Sequence, residues 1–170
     1  MSKLLYIFLR MRDLIVSDIS LDQFDYAILR QLQHDNKMSH RKIAELVNLS
    51  QASVQRRIAR LEEEQVIEKN CAVLNPKKFG EKITSIIEVR LAEDRSIVMD
   101  RAKQYFANVD EIQQCYFVNG GVSFIIIMIS DTLSHFEALV RKHFADNQDV
   151  RTYRTLIVLD RVKVGLELSI

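Results

Sequence analysis

Ser50-Gln51-Ala52-Ser53-Val54-Gln55-Arg56-Arg57-Ile58-Ala59-Arg60-Leu61 reads as one short helix with two unlike faces. Val54, Ile58 and Leu61 recur at i, i+4 and i+7, so they line one side. Ala52, Ser53, Arg56, Ala59 and Arg60 fall on the other. Ser50 occupies the N-cap position, where a hydroxyl accepts a hydrogen bond from an early helical N–H. Small and amide residues lead, arginines follow, and no acid occurs between Glu45 and Glu62. That order suits a helix whose first turn meets base edges while its later basic residues hold phosphates.

Outward from this helix the pattern stays helical. Phe24, Ile28 and Leu32 recur at helical spacing, with Leu29 beside them. Asp22 sits where an acid favours the positive end of a helix dipole. Asp35-Asn36-Lys37 stops that helix, and Ser39 caps the next, whose apolar positions are Ile43, Ala44 and Val47. Asn48-Leu49 turns the chain into Ser50. Three short helices, the last two joined by a tight turn, outline a helix-turn-helix. Past Glu62-Glu63-Glu64, the stretch Val66–Leu74 predicts a small β-wing. A trihelical bundle with no nucleic-acid role would share this outline, its arginines a solvated face. Charge sorting favours DNA: bases dominate 37–60 and acids dominate 62–68, a local basic surface that a near-neutral sum conceals.

The whole chain has 170 residues, 48% hydrophobic and 28% charged, with a net charge of +1. Those values fit a soluble globular protein of one ordinary domain or two small ones. Cys71 and Cys115 are too few for a disulfide scaffold or a zinc site and fit a reducing cytoplasm. His34, His40, His135 and His143 are scattered, so no metal is expected. Leu4–Leu9 is apolar but far too short to span a bilayer, and it lacks a clear signal-peptide cleavage site. Residues 1–20 are therefore expected to be an N-terminal arm, with Met11 as an alternative initiator.

Asn75-Pro76-Lys77-Lys78-Phe79-Gly80 holds the only proline of the chain. Pro76 disfavours helix at Asn75 and Gly80 permits a sharp turn, so a hinge is placed at 75–82 between domains at 21–74 and 83–170. Beyond it Ile83, Ser85, Ile87, Val89 and Leu91 alternate with Thr84, Ile86, Glu88 and Arg90, the mark of a strand. Val98, Ala102, Tyr105 and Phe106 return to helical spacing. Ile112–Val118 and Val122–Ser130 predict two strands joined at Asn119-Gly120-Gly121, a strong hairpin signal. Leu133, Phe136, Val140 and Phe144 give a second helix, and Val150–Val164 a last long strand. The order βαββαβ defines a ferredoxin-like α+β domain. Its helices cover one sheet face, yet both faces are apolar: Phe124, Ile126 and Met128 point one way, Ile125, Ile127 and Ile129 the other. A second subunit packed sheet to sheet is the economical cover, giving a homodimer. The alternatives are that the first domain lies there or that the strands are mis-set.

Leu21-Asp22-x-x-Asp25-x-x-Ile28-Leu29, Ile43-Ala44-Glu45-x-Val47-x-Leu49-Ser50 and Val54-x-Arg56-Arg57-Ile58-x-x-Leu61-Glu62 closely resemble the Lrp/AsnC family of prokaryotic transcription regulators. The match continues through Leu74-Asn75-Pro76 to Gly80, resumes at Cys115-Tyr116-x-Val118-x-Gly120, and closes at Thr155 and Val158-Leu159-x-x-Val162-Lys163. The resemblance spans about 21–170. It implies a winged-helix-like DNA-binding domain, then a ligand-sensing domain that dimerises through its sheets and assembles further, to tetramers or octamers. It also implies an amino-acid effector. By the same resemblance Ser50, Gln51, Ala52, Ser53 and Arg56 would meet the major groove of double-stranded DNA, with Gln55 also among the DNA-binding residues. Arg57 and Arg60 would hold the backbone, with His40, Arg41 and Lys42 nearby. Arg57 also lies beside the apolar face, where it can serve packing or an acid partner.

The family's effector loop usually carries Thr-Gly, then Asp three residues after the Gly. Here the loop reads Asn119-Gly120-Gly121-Val122-Ser123. Ser123 keeps hydrogen bonding and loses the charge. The backbone N–H groups of Asn119, Gly120 and Gly121 remain able to meet a ligand carboxylate, because glycine allows close approach. The rival reading is a plain hairpin turn. The family often has Gly where this chain has Gln65, which predicts a reshaped turn after the third helix. No catalytic group is expected, because no nucleophile stands beside a base and four glycines make no phosphate cradle. No cofactor and no membrane partner are expected either. The expected function is a sequence-specific transcription regulator. The alternative is an architectural, nucleoid-type DNA-binding protein without an effector.

Overall fold

The computed structural model describes residues 19–80 and 82–170. All but Ile19 and Ser20 of the expected arm lies outside them. The chain divides into two compact units, one running to Ala72 and also taking Gly165–Ile170, the other Val73–Val164. Residues 165–170 thus pack with the first unit.

Among its described residues the first unit has three helices, each started by a side chain. Helix α1 (Gln23–His34) has Asp22 as its N-cap in a reciprocal capping box with Asp25. Helix α2 (His40–Val47) is capped by Ser39 and ended by Asn48, whose φ of 55° is left-handed, a conformation asparagine tolerates. Helix α3 (Gln51–Glu63) is capped by Ser50, whose hydroxyl accepts from the Ser53 N–H at 3.2 Å. The apolar stripes meet in a core of Ile28, Ile43, Ala44, Val47, Val54 and Ile58. Each fully buried aliphatic side chain contributes about 1.5–3 kcal/mol.

Val66–Leu74, expected as a β-wing, contains no strand. Gln65 adopts φ 56°, and the N–H groups of Val66 and Ile67 fold back onto Leu61 O at 2.9 and 3.0 Å. That reversal spends their donors on closing α3. Ile67 then packs on the trihelical core, while Val73 and Leu74 lie exposed with no neighbouring strand to pair.

The second unit is βαββαβ, with one four-stranded antiparallel sheet in the order β2-β3-β1-β4. Strand β1 (Ile83–Leu91) is followed by α4 (Ser96–Ala107), β2 (Ile112–Phe117) and β3 (Phe124–Ser130). Helix α5 (Leu133–Val140) runs into a π turn at Arg141–Ala145 before β4 (Val150–Ile157). The inner sheet face and both helices enclose Ile87, Val89, Phe106, Phe124, Ile126, Met128 and Phe144. Phe106 meets Phe124 and Phe144 at ring distances of 5.3 and 5.7 Å.

Strand β4 is shorter than the expected Val150–Val164. Val158 N still donates to Thr84 O at 2.9 Å, but β1 begins at Ile83 and offers nothing beyond it. A strand without a ladder partner ends, and Leu159 and Val162 are almost fully exposed. The outer face is mixed, with Ile86, Ile125, Ile127, Ile129 and Leu156 beside Thr84, Glu88, Arg90 and Arg154. Ile86 pairs across the sheet with Ile127 and Leu156, and Leu156 and Tyr116 are exposed. Glu88 and Arg154 form a two-bond ion pair at 2.6 and 2.9 Å on the same face.

Candidate nucleic-acid interface

The first turn of α3 is open. Gln51, Ala52, Gln55 and Arg56 are exposed and Ser53 is half-buried. Ser50 is already committed as cap, although its own O–H remains a donor. Among the described residues Arg56 forms no ion pair. On α2, His40 is half-buried, Lys42 is exposed, and Arg41 meets Glu45 at 3.2 Å. A solvent-exposed i,i+4 pair of that kind contributes only about 0.3–0.5 kcal/mol, so Arg41 is easily drawn elsewhere.

Arg57 and Arg60 are held differently. Arg57 Nη1 donates to Asp25 Oδ1 at 2.7 Å, and Arg60 Nη2 to Asp25 Oδ2 at 2.6 Å. Asp25 is 1% exposed. Its carboxylate also accepts the Asp22 N–H at 3.1 Å, closing the capping box. Asp22 adds a second carboxylate 2.9 Å from Arg57, and the Phe24 ring lies 5.6 Å from the guanidinium carbon. Asp22 is held below the usual carboxylate range, first by the Asp25 N–H that it accepts, with Arg57 and the Phe24 N–H adding. The Arg57 guanidinium is pushed up, chiefly by Asp25. The two later arginines are thus tied to α1 by a buried acid. Sequence reasoning placed Asp25 in the family pattern without giving it this role. Its signal was an acid at the third helical position, opposite arginines on the face that turns inward.

In the second unit, the residues read as an effector site lie together between β2 and β3. Gly121 has φ 91°, which only glycine adopts at little cost. Arg90 Nε donates to Gly121 O at 2.8 Å, and its Nη2 reaches the same oxygen. Ser123 N donates to Val89 O at 2.7 Å, and Ser123 Oγ accepts the Leu91 N–H at 3.1 Å. The register between β1 and β4 shifts between Arg90 and Leu91, and Ser123 supplies that N–H with an acceptor. The N–H groups of Asn119, Gly120 and Gly121 have no acceptor among the described residues. Beside the loop is a depression of about 140 Å³ lined by Glu88, Arg90, Val122, Thr152, Tyr153 and Arg154.

Among the described residues no three His, Cys, Asp or Glu side chains gather as a metal site. No described helix is long and apolar enough to cross a membrane.

A capped trihelical unit with an open third helix, followed by a ferredoxin-like domain, defines a helix-turn-helix regulator with an attached sensing domain. Residues 21–62 match the AsnC-type helix-turn-helix domain, and residues 84–168 match the Lrp/AsnC ligand binding domain. The chain belongs to the Lrp/AsnC family, whose members are DNA-binding transcription regulators. It is 33% identical to an uncharacterized HTH-type transcriptional regulator of Sinorhizobium fredii, over 89% of this chain and 90% of that protein. It is 26% identical to a leucine-responsive regulatory protein of Rhizobium meliloti, over 89% of this chain and 97% of that one. The crystal structure of an AsnC family transcriptional regulator from Agrobacterium tumefaciens superposes with a TM-score of 0.78 at 26% identity, covering 87% of this chain and 96% of that one.

Proposed function

We propose that the chain reads DNA as a homodimer, with one α3 helix in each half-site. The observation that carries this is the division of labour among its arginines. Among the described residues Arg56, beside Gln51, Ala52, Ser53 and Gln55, forms no ion pair, whereas Arg57 and Arg60 are engaged by Asp25. Base readout falls to the first turn and Arg56. Backbone contacts fall to His40, Arg41, Lys42 and the outer edges of Arg57 and Arg60. The apolar row of Ile86, Ile127 and Leu156 on the outer sheet face supports sheet-to-sheet pairing and further assembly to tetramers or octamers. Residues 75–82 act as the hinge between the two domains. The protein works in the cytoplasm, where DNA and a reducing environment suited to Cys71 and Cys115 coincide.

The effector is an amino acid, its carboxylate received by the N–H groups of Asn119, Gly120 and Gly121. The leucine-responsive relative supports the class of ligand by its name. A second reading, an architectural protein without an effector, is favoured by Ser123, whose oxygen is already engaged by Leu91 and brings no charge to a ligand ammonium group.

The experiment is selection of duplexes from a random library by the full chain, then binding with Arg56→Ala. Loss of base preference with about 1–3 kcal/mol weaker specific binding supports the placement of α3. Unchanged preference refutes it. Selection that enriches no sequence favours the architectural reading.

A further inference from the structure

Three hydrogen bonds on α1 recognise another segment through its backbone alone. Gln33 Nε2 donates to Leu168 O at 3.0 Å, and Gln33 Oε1 accepts the Leu168 N–H at 2.6 Å. Arg30 Nε donates to Ile170 O at 2.7 Å. A side-chain amide that takes both polar groups of one residue reproduces the pairing offered by a neighbouring strand. Spacing fits the arrangement. Arg30 and Gln33 are three apart and share a helix face, while Leu168 and Ile170 are two apart and share an edge of an extended segment. The side chains of Leu166 and Leu168 stay 75% and 71% exposed and that of Ile170 38%, so the two leucines add little apolar burial to these bonds.

Gly165–Ile170 belongs to the compact unit of α1, α2 and α3, although the chain reaches it from Val164 of the other unit. The polypeptide therefore passes between the units twice, at Ala72–Val73 and at Val164–Gly165. A second attachment removes conformational freedom that DNA binding would otherwise have to remove.

We propose that Arg30 and Gln33 form a docking site for Gly165–Ile170, and that the docked segment is a latch that restrains the DNA-binding unit and raises its affinity for DNA. Because three exposed hydrogen bonds and little apolar contact hold it, the latch opens locally without unfolding the domain. Because recognition is through the backbone, it tolerates side-chain changes in the segment but not loss of the Leu168 N–H.

The test uses the full chain with Gln33→Ala, Leu168→Pro and Leu168→Ala. Chymotryptic cleavage after Leu166, followed by mass, reports on docking; binding to a library-selected duplex over a range of salt reports on its consequence. Gln33→Ala and Leu168→Pro should be cut about fivefold faster or more and bind DNA about three- to tenfold more weakly. Their salt slope should match the native one, since neither removes a charge. Leu168→Ala should behave as native in both measurements. Native protein cut as fast as Gln33→Ala overturns the docking site. DNA binding equal across the set overturns the latch. Leu168→Ala behaving like Leu168→Pro overturns backbone recognition. The cleavage arm is independent of the DNA-binding reading, so failure to enrich any duplex would strike that reading and leave docking tested.

Discussion

Asp25 Oδ1 lies 2.7 Å from Arg57 Nη1, and through that contact the first helix holds the third. Asp25 is buried and simultaneously closes the cap of its own helix. One carboxylate therefore fixes where α1 begins and how α3 is turned against it. Arg57 and Arg60 are 21% and 40% exposed, so each presents an outer edge to solvent while its inner edge is spoken for.

Removing that carboxylate leaves Arg57 to Asp22 alone and Arg60 to the looser contact with Glu64 at 3.9 Å, with both guanidinium groups still partly buried. Asp25→Ala should cost about 2–4 kcal/mol, below the full range for breaking a buried pair because both arginines reach water. Asp25→Asn keeps a capping oxygen and should cost less. Urea unfolding of both variants would measure this. If Asp25→Ala unfolds at the native midpoint, the network is ornamental and α3 is held by its apolar stripe alone.

Gln65 occupies a backbone conformation that side chains resist, with φ 56°, and its own amide donates to Glu62 O at 3.1 Å. Glycine there would relieve the steric cost of the left-handed region but add unfolded-state entropy. Gln65→Gly should therefore be neutral or stabilising by up to about 1 kcal/mol, and Gln65→Val destabilising by about 1–2 kcal/mol. The reverse ranking in thermal unfolding would contradict the geometry of the turn.

Ser123 Oγ is the acceptor for the Leu91 N–H at the register shift beside β4, and Leu91 is 4% exposed. Ser123→Ala leaves that N–H without a partner, a loss of about 1–3 kcal/mol. Ser123→Asp keeps an acceptor and adds the carboxylate usual in the family. A thermal-shift screen of the twenty amino acids on native protein and Ser123→Asp compares their ligand responses. A new or stronger response in the Asp variant alone would locate the effector at this loop; identical responses would place it elsewhere.

The helices and the βαββαβ order were legible because burial leaves a period in the sequence: 3.6 at Val54-Ile58-Leu61 and 2 at Ile83–Leu91. Where the outcome depended on pairing, the pattern was insufficient. Val66–Leu74 has strand-like residues but lacks a neighbouring strand, and Val150–Val164 outruns the end of β1. The third helix was legible as a basic surface, since Arg56 is exposed on it. Asp25 was not, because its role depends on Arg57 and Arg60 meeting it across thirty-odd residues of chain. Ser123 was legible as a departure from the family, yet its bond to Leu91 depends on an irregularity between strands that no periodicity records.

His143 gives the second unit a pH response of definite sign. It sits in the π turn, 3% exposed, with Nδ1 2.9 Å from the Tyr105 hydroxyl and Nε2 buried without a partner. Burial pushes its pKa below the ordinary 6.5, neighbouring Lys142 pushes the same way, and Glu111 opposes them. The folded imidazole therefore resists a proton that the unfolded one accepts. Its contribution is complete above about pH 6.5 and declines as the pH falls through the lower, folded value. Asp22, Glu88, Asp131 and Asp149 are also depressed, by hydrogen bonds to Asp25, Arg154, Lys82 and Arg101 respectively. Their losses come at lower pH, in the carboxylate range. Between pH 7 and about 5 the urea midpoint of the native chain should thus fall, and His143→Gln, which carries no titrating ring, should show a flatter profile over that interval. A mutant profile as steep as the native one would assign the slope to other groups.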